Sequence, residues 1–216
     1  MRRRSVEVDF APVSVDPETN WTIPYKVADF TIQTRGHEIT APGVRNLLSM
    51  AVERVVSNEG PVHEDILIRR VREAWGVGRA GNRIRTTFQE VFSELAARGV
   101  LIRDRDGFLS LKGQEVGPVR VPVEGQPETA RAIEHVALSE IAQAVLYVVR
   151  EAKAVEQEEL VRHIARIFGW RRTGDGIVAR IGDAISRVIQ SGTIERDGGR
   201  VRWMANEQSE TLLPKD

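Results

Sequence analysis

From Pro42 onward the apolar residues recur at helical spacing. Val44, Leu47, Leu48, Ala51 and Val55 share one face, and Glu59-Gly60-Pro61 stops the run. A second helix is predicted over residues 63–75, with Ile66, Leu67, Val71 and Ala74 inward. The run Gly76-Val77-Gly78-Arg79-Ala80-Gly81 reads as a turn. A third helix follows, with Ile84, Phe88, Val91, Phe92 and Leu95 forming the stripe of a buried face. Gly99 ends it in the position where a left-handed glycine usually closes a helix. Residues 100–103 and 108–111 are then predicted as strands, joined by Asp104-Arg105-Asp106-Gly107, where Asp-Gly signals a hairpin.

The same order appears a second time. Residues 62–110 align with residues 155–203 without a gap, at a constant offset of 93. Val62, Leu67, Arg69 and Gly76 match Val155, Leu160, Arg162 and Gly169, and Arg79, Gly81, Ile84 and Gly99 match Arg172, Gly174, Ile177 and Gly192. Helices are predicted over 137–151, 156–168 and 174–191. A hairpin follows over 193–196 and 200–204 that turns at Asp197-Gly198-Gly199. A repeat of this length means one folded unit used twice.

The flanks read differently. Ser5-Val6-Glu7-Val8-Asp9-Phe10 alternates with the strand period, as does Val27-Ala28-Asp29-Phe30-Thr31-Ile32, with Pro12, Pro17 and Pro24 interrupting. The pattern divides the chain into an extended N-terminal segment (1–40) draped on the first unit, a first unit (41–112), a linker (113–135), a second unit (136–204) and a disordered tail (205–216). Three helices followed by a β-hairpin is the winged variant of the helix-turn-helix. The predicted fold class is therefore mainly α with short β-hairpins (α+β), as tandem winged helix-turn-helix domains.

Composition narrows the chemistry. The 216 residues include 41% hydrophobic types, which suffices for two small cores. There is no cysteine, so disulfides and thiolate metal sites are excluded and a cytoplasmic location is the default expectation. No apolar run approaches the roughly 20 residues of a membrane span. The formal net charge is zero, which weighs against a whole-protein polyanion binder and leaves room for a local basic face.

Such a face is expected on the first unit. Arg83, Thr86, Gln89, Glu90 and Ser93 lie opposite the buried stripe of the third helix, with Arg79 and Arg85 flanking its start and Arg103 and Arg105 at the wing. Arginines beside the free N–H groups of a helix start suit phosphates. The same face in the second unit is Gly176, Ala179, Gly182, Asp183 and Ser186, too small and acidic to make bidentate contacts to bases. Arg171, Arg172 and Arg180 belong to a basic rim there, with Arg196, Arg200 and Arg202, fit for backbone contact. The expected partner is duplex DNA, held mainly through its backbone.

Other motifs carry less. His37, His63, His135 and His163 are scattered without metal-ligand spacing, so no metal is expected. His63 beside Glu64 lacks a nucleophile or orienting partner and reads as structural, so no enzyme activity is expected. The Gly-x-Gly-x-x-Gly match at 76–81 joins two helices, whereas a dinucleotide site follows a strand. No cofactor is expected. Trp75, Trp170 and Trp203 read as packing residues rather than base-stacking platforms.

One stretch carries a family resemblance. Gly60-Pro61-Val62-His63-Glu64, then Arg69-Arg70-Val71, then Arg79-Ala80-Gly81-Asn82-Arg83-Ile84, resembles an uncharacterised domain near the C-terminal end of large bacterial superfamily I helicase-like proteins, beside a Vsr-like endonuclease domain. The second repeat departs from it: Ala154-Val155-Glu156 replaces Pro-Val-His, His163 replaces Arg70 and Gly176 replaces Arg83. No Walker A or helicase motif is present. The resemblance implies an accessory module, partnered by helicase or nuclease domains, without catalytic parts.

Two functions follow. One is a DNA-binding module, which needs a contiguous positive face on the first unit. The other is a protein-interaction module, which needs an exposed small or apolar patch, expected on the second. The sequence sets neither the DNA site nor the oligomeric state.

Overall fold

Helical stripes have to be buried against something, and in this chain two separate sets of helices bury theirs. The computed structural model describes residues 21–115 and 117–204. Ser5 to Phe10 and the tail over 205–216 lie outside the described residues. Among those described, the protein is mixed α and β, with six α-helices and small sheets. It divides into two compact units: residues 26–115, and a C-terminal unit that joins residues up to Tyr25 to those from Val116 onward.

In the N-terminal unit, α1 (Arg45–Glu59), α2 (Glu64–Ala74) and α3 (Asn82–Ala97) surround one core. Leu48, Val52, Leu67, Phe88, Val91 and Leu95 are fully buried within it. The sheet has strand order β2 (Val62–His63), β4 (Phe108–Leu111), β3 (Leu101–Arg103), all antiparallel. Gly99 (φ 70°) closes α3 in the left-handed conformation. In the β3–β4 turn the Asp104 carboxylate accepts the N–H groups of Asp106 and Phe108 at 2.9 and 2.8 Å.

Residues 26–40 cover this core. Val27 to Ile32 alternates as the sequence predicts but pairs with no strand. Ala28 and Ile32 are buried, and the Ala28 N–H goes to a side chain instead of a ladder. That acceptor is Glu59, fully buried at the end of α1, which takes the Ala28 N–H at 2.9 Å and Arg70 Nε at 3.4 Å. The Trp75 indole N–H donates to the His37 carbonyl at 2.9 Å and ties the same segment to the end of α2.

The C-terminal unit repeats the plan with α4 (Leu138–Ala152), α5 (Gln157–Ile167) and α6 (Asp175–Gln190). Its sheet has the order β6 (Ala154–Glu156), β8 (Arg200–Trp203), β7 (Ile194–Asp197). Phe168, Ile164, Ile181 and Ile185 are buried in its core, with Phe168 stacked on Trp170 at 4.9 Å. The 93-residue offset holds through the helices and fails in the last strand. Leu109 faces Val62, whereas the residue facing Val155 is Val201, an offset of 92. The second hairpin turn is one residue shorter, and register follows the buried side chain rather than the sequence identity.

Two readings of the flanks need correction. Residues 113–135 are not a bare linker. They contain β5 (Val119–Val121), which pairs in parallel with β1 (Thr22–Pro24), so residues 21–25 belong to the C-terminal unit rather than lying on the first. Arg120 and Arg131, both buried, converge on Glu140 of α4. The Glu140 carboxylate accepts Arg120 N–H at 2.9 Å, Arg120 Nη2 at 2.6 Å, and Arg131 Nη1 and Nη2 at 2.8 and 2.9 Å. Arg131 lies over the Tyr25 ring at 4.4 Å, and its carbonyl accepts the Trp170 indole N–H at 2.8 Å. Burial alone pushes the Glu140 carboxyl upward, but the charges and hydrogen bonds of Arg131 and Arg120 outweigh it and hold the group at about 2.

Two measurements check this packing. Phe88→Ala should cost about 3 to 5 kcal/mol in denaturant unfolding, and Ile181→Ala about 2 to 5. A loss below about 1 kcal/mol at either position would show that the stripe does not face a core. Glu140 has a folded-state value below its unfolded one. Its stabilisation is therefore complete above about pH 4.5 and drains as pH falls toward 2. At neutral pH Glu140→Gln should destabilise by about 3 to 5 kcal/mol, since it leaves two buried guanidinium groups under-compensated. Melts between pH 5 and 2 should show that gap closing. A gap constant with pH would mean the carboxylate is not ionised in the core.

Candidate nucleic-acid interface

The start of α3 is presented by the turn before it. Gly76 (φ 80°) takes the left-handed conformation that a side chain disfavours. Arg72 donates to the Val77 carbonyl at 3.0 Å and also to that of Gly78, which fixes the loop from inside. The Gly76–Gly81 run thus joins two helices, as its sequence context predicts. Gly81 is the N-cap, without a side-chain cap, and no acidic residue occupies the first turn of α3. The N–H groups of that turn lack intrahelical acceptors and carry the positive end of the helix dipole. Arg79 and Arg83 beside them are exposed. Among the described residues their guanidinium groups make no hydrogen bond or ion pair.

The other three arginines of this unit are placed differently. Arg85 pairs with Asp65 at 2.7 Å. Arg103 on β3 donates to Gln89 Oε1 at 2.7 Å and to the Glu64 carboxylate, and Gln89 itself donates to Glu64 at 3.1 Å. Arg105, at the hairpin turn, is exposed and unpaired among the described residues. The start of α2, the outer face of α3 and strand β3 therefore form one polar surface. Glu64 and Asp65 are there because a helix start favours acids. The α2 N-cap is His63, whose Nδ1 accepts the Asp65 N–H at 3.2 Å while its ring meets Phe108 edge-on at 5.2 Å.

The sequence did not reveal these pairs, because Arg103 and Glu64 stand 39 positions apart. The visible signal was the Glu64-Asp65 doublet at a helix start. Exposed pairs of this kind are worth about 0 to 1 kcal/mol, so a phosphate can compete for both arginines. Glu90, an acid on the outer face of α3, is drawn to Arg45 at 2.7 Å, as is Glu94 at 3.1 Å.

The second unit places its arginines less favourably. Helix α6 starts with Asp175 in its first turn, and its outer residues Gly176, Ala179, Asp183 and Ser186 are exposed. Val178 beside them is 45% exposed. Arg172, the counterpart of Arg79, is exposed and unpaired among the described residues. Arg180 is half-buried, and both it and Arg171 have interactions of their own. Arg200 and Arg202 on the hairpin pair with Glu156 and Asp197 at 2.6 and 2.7 Å. Trp170 sits in the core and Trp203 is half-buried against it.

No helix among the described residues is long and apolar enough to cross a membrane. No curated protein matches the chain. A family model described as "Protein of unknown function (DUF3320)" matches residues 37–86, from the end of the covering segment into the first turns of α3, and that span contains the whole Gly60 to Ile84 stretch.

Proposed function

We propose that the chain is a non-catalytic tandem winged-helix module whose first unit binds the backbone of duplex DNA. The supporting observation is the start of α3, where two unpaired arginines, Arg79 and Arg83, flank uncapped N–H groups with no acid in the turn. Arg105 supplies a further contact from the wing. Arg85 and Arg103 exchange Asp65 and Glu64 for phosphate. Arg171, Arg172 and Arg180 give the second unit at most a secondary backbone contact. The resemblance of the Gly60 to Ile84 stretch to helicase-associated domains supports a module that works with a helicase or nuclease, and the absence of cysteine favours the cytoplasm.

A second reading assigns protein docking to the second unit. Gly176, Ala179 and exposed Val178 on α6 favour it, since small residues allow close approach and Asp183 repels phosphate.

Each phosphate neutralised contributes about −0.9 to the log–log salt slope of binding. Contacts from Arg79, Arg83, Arg85, Arg103 and Arg105 give a slope of about −4.5, and Arg83→Ala should reduce its magnitude by about one. Arg79→Ala should weaken binding more than its repeat counterpart Arg172→Ala. Equal losses from that pair would defeat the assignment of DNA to the first unit. Absence of duplex binding at about 50 mM salt, where screening is weak, would remove the DNA reading and leave protein docking.

A further inference from the structure

The first unit contains a cavity of about 570 Å³ beside the start of α3, within the size range of small-ligand sites (about 300–1,000 Å³). One wall is the covering segment over residues 34–40, and the other is the α2–α3 turn with the first turn of α3. Ile39 and Trp75 in its lining are buried, and Val77 and Ile84 are half-buried. Thr34, Glu38 and Thr40 line it as well, and among the described residues their side chains make no hydrogen bond or ion pair. Gly81 and the exposed Arg83 complete the lining, so the cavity borders the free N–H groups that begin α3. An apolar recess edged by unsatisfied polar groups suits a flat ligand with an apolar face and donors and acceptors on its rim, as a nucleobase is.

The repeat shows what kind of group belongs at this corner. At the repeat positions of Trp75 and Val77 the second unit has Phe168 and Trp170, both buried, and their rings stack at 4.9 Å. In both units an indole N–H ties the corner to the peptide ahead of the first helix: Trp170 donates to the Arg131 carbonyl at 2.8 Å, and Trp75 to that of His37 at 2.9 Å. The second unit therefore fills its corner with two aromatic rings. The first has one ring, a valine and the cavity.

We propose that this cavity receives one unpaired nucleobase of DNA, packed against Trp75 and Ile39, while the phosphate of the same nucleotide meets Arg83 and the N–H groups of the α3 start. The Glu38 carboxylate is an acceptor for an exocyclic amino group of the base, and Thr34 and Thr40 supply hydroxyls for the rest of its edge. The ligand is an unpaired nucleotide at a duplex end or junction. The second unit, whose corner is filled by its own tryptophan, takes none. This inference rests on the assignment of the first unit to DNA and adds an unpaired base to what that unit recognises.

A DNA hairpin with a single open end tests it. The end is left blunt, extended by one unpaired deoxyadenosine, or extended by one abasic residue, which adds the same phosphate without the base. Each extension is made on each strand in turn. On at least one strand the full chain should bind the deoxyadenosine end about ten-fold or more tightly than the abasic end, the range for a base stacked on protein. Val77→Trp, which installs the ring that the second unit carries, should remove that difference and leave the blunt hairpin bound as before. Thr34→Tyr, from the opposite wall, should do the same, and it decides the outcome if Val77→Trp fails to fold. Equal binding of the deoxyadenosine and abasic ends on both strands, with the blunt hairpin still bound, would overturn the base site and leave the DNA reading standing. Loss of binding to all three ends would overturn both. A preference untouched by the folded variants would place the base elsewhere. Cancellation of the preference by micromolar free deoxyadenosine monophosphate would give the cavity to free nucleotides instead of DNA.

Discussion

A carboxylate sealed from water must find its counter-charge and its donors inside the protein, and each unit of this chain is organised around one that does. Glu59 collects an N–H from Ala28 and the guanidinium of Arg70. Glu140 collects Arg120 and Arg131, with the Arg120 N–H as well. In both units the donors come partly from chain outside the repeat. An unpaired buried charge costs several kcal/mol, so the non-repeated peptide is held in place by the same electrostatics that hold the helices. The two carboxylates do not occupy equivalent positions: Glu59 ends α1, while Glu140 lies in the first turn of α4, where the repeat has Leu47. The repeat supplies the helical scaffold, and each copy has acquired its own lock.

The helices were legible because a buried stripe imposes a period that few other arrangements share. Phe88, Val91, Phe92 and Leu95 mark α3, and Ile181, Ala184, Ile185 and Val188 mark α6, all buried at the predicted phase. The hairpins were legible from Gly99, Gly192 and their Asp-Gly turns. Strands β1 and β5 were not. Each is three residues long, they pair across almost a hundred positions, and a Pro, Gly and Glu-rich context hides them. Arg120 and Arg131 fell in the segment read as a linker, because nothing local says that a glutamate on a later helix will bury them. The register of β8 was misread for a related reason. An ungapped alignment cannot see that Val201, rather than Arg202, must face the core.

The basic face shows the same limit. Opposite-face residues of α3 follow from helical phase alone, and Arg83, Thr86, Glu90 and Ser93 are exposed as phase requires. Phase does not say which arginines are already spoken for. Arg85 and Arg103 are engaged by the acids that begin α2, because a helix start that favours carboxylates lies beside the one that favours anions from outside. The face is therefore graded: unpaired arginines at the α3 start and the turn, paired ones between. A phosphate meeting it gains most at Arg79, Arg83 and Arg105 and must displace a carboxylate elsewhere.

Duplication of a fold gives two copies of every surface, and the divergence between them shows what each surface is free to become. At the start of the third helix, Arg83 and Arg85 in one copy become Gly176 and Val178 in the other, and an aspartate enters the first turn. Those changes leave the core untouched, since Ile84 and Ile177 still turn inward on matching stripes. At the junction of the first two helices the change runs the other way. The N-terminal copy has a buried ion pair under its covering segment, and the C-terminal copy has alanine and an exposed histidine at a basic groove. Selection for stability alone would act on both copies alike. Opposite changes at two sites outside the shared helical stripes are what separate ligands for the two units would require.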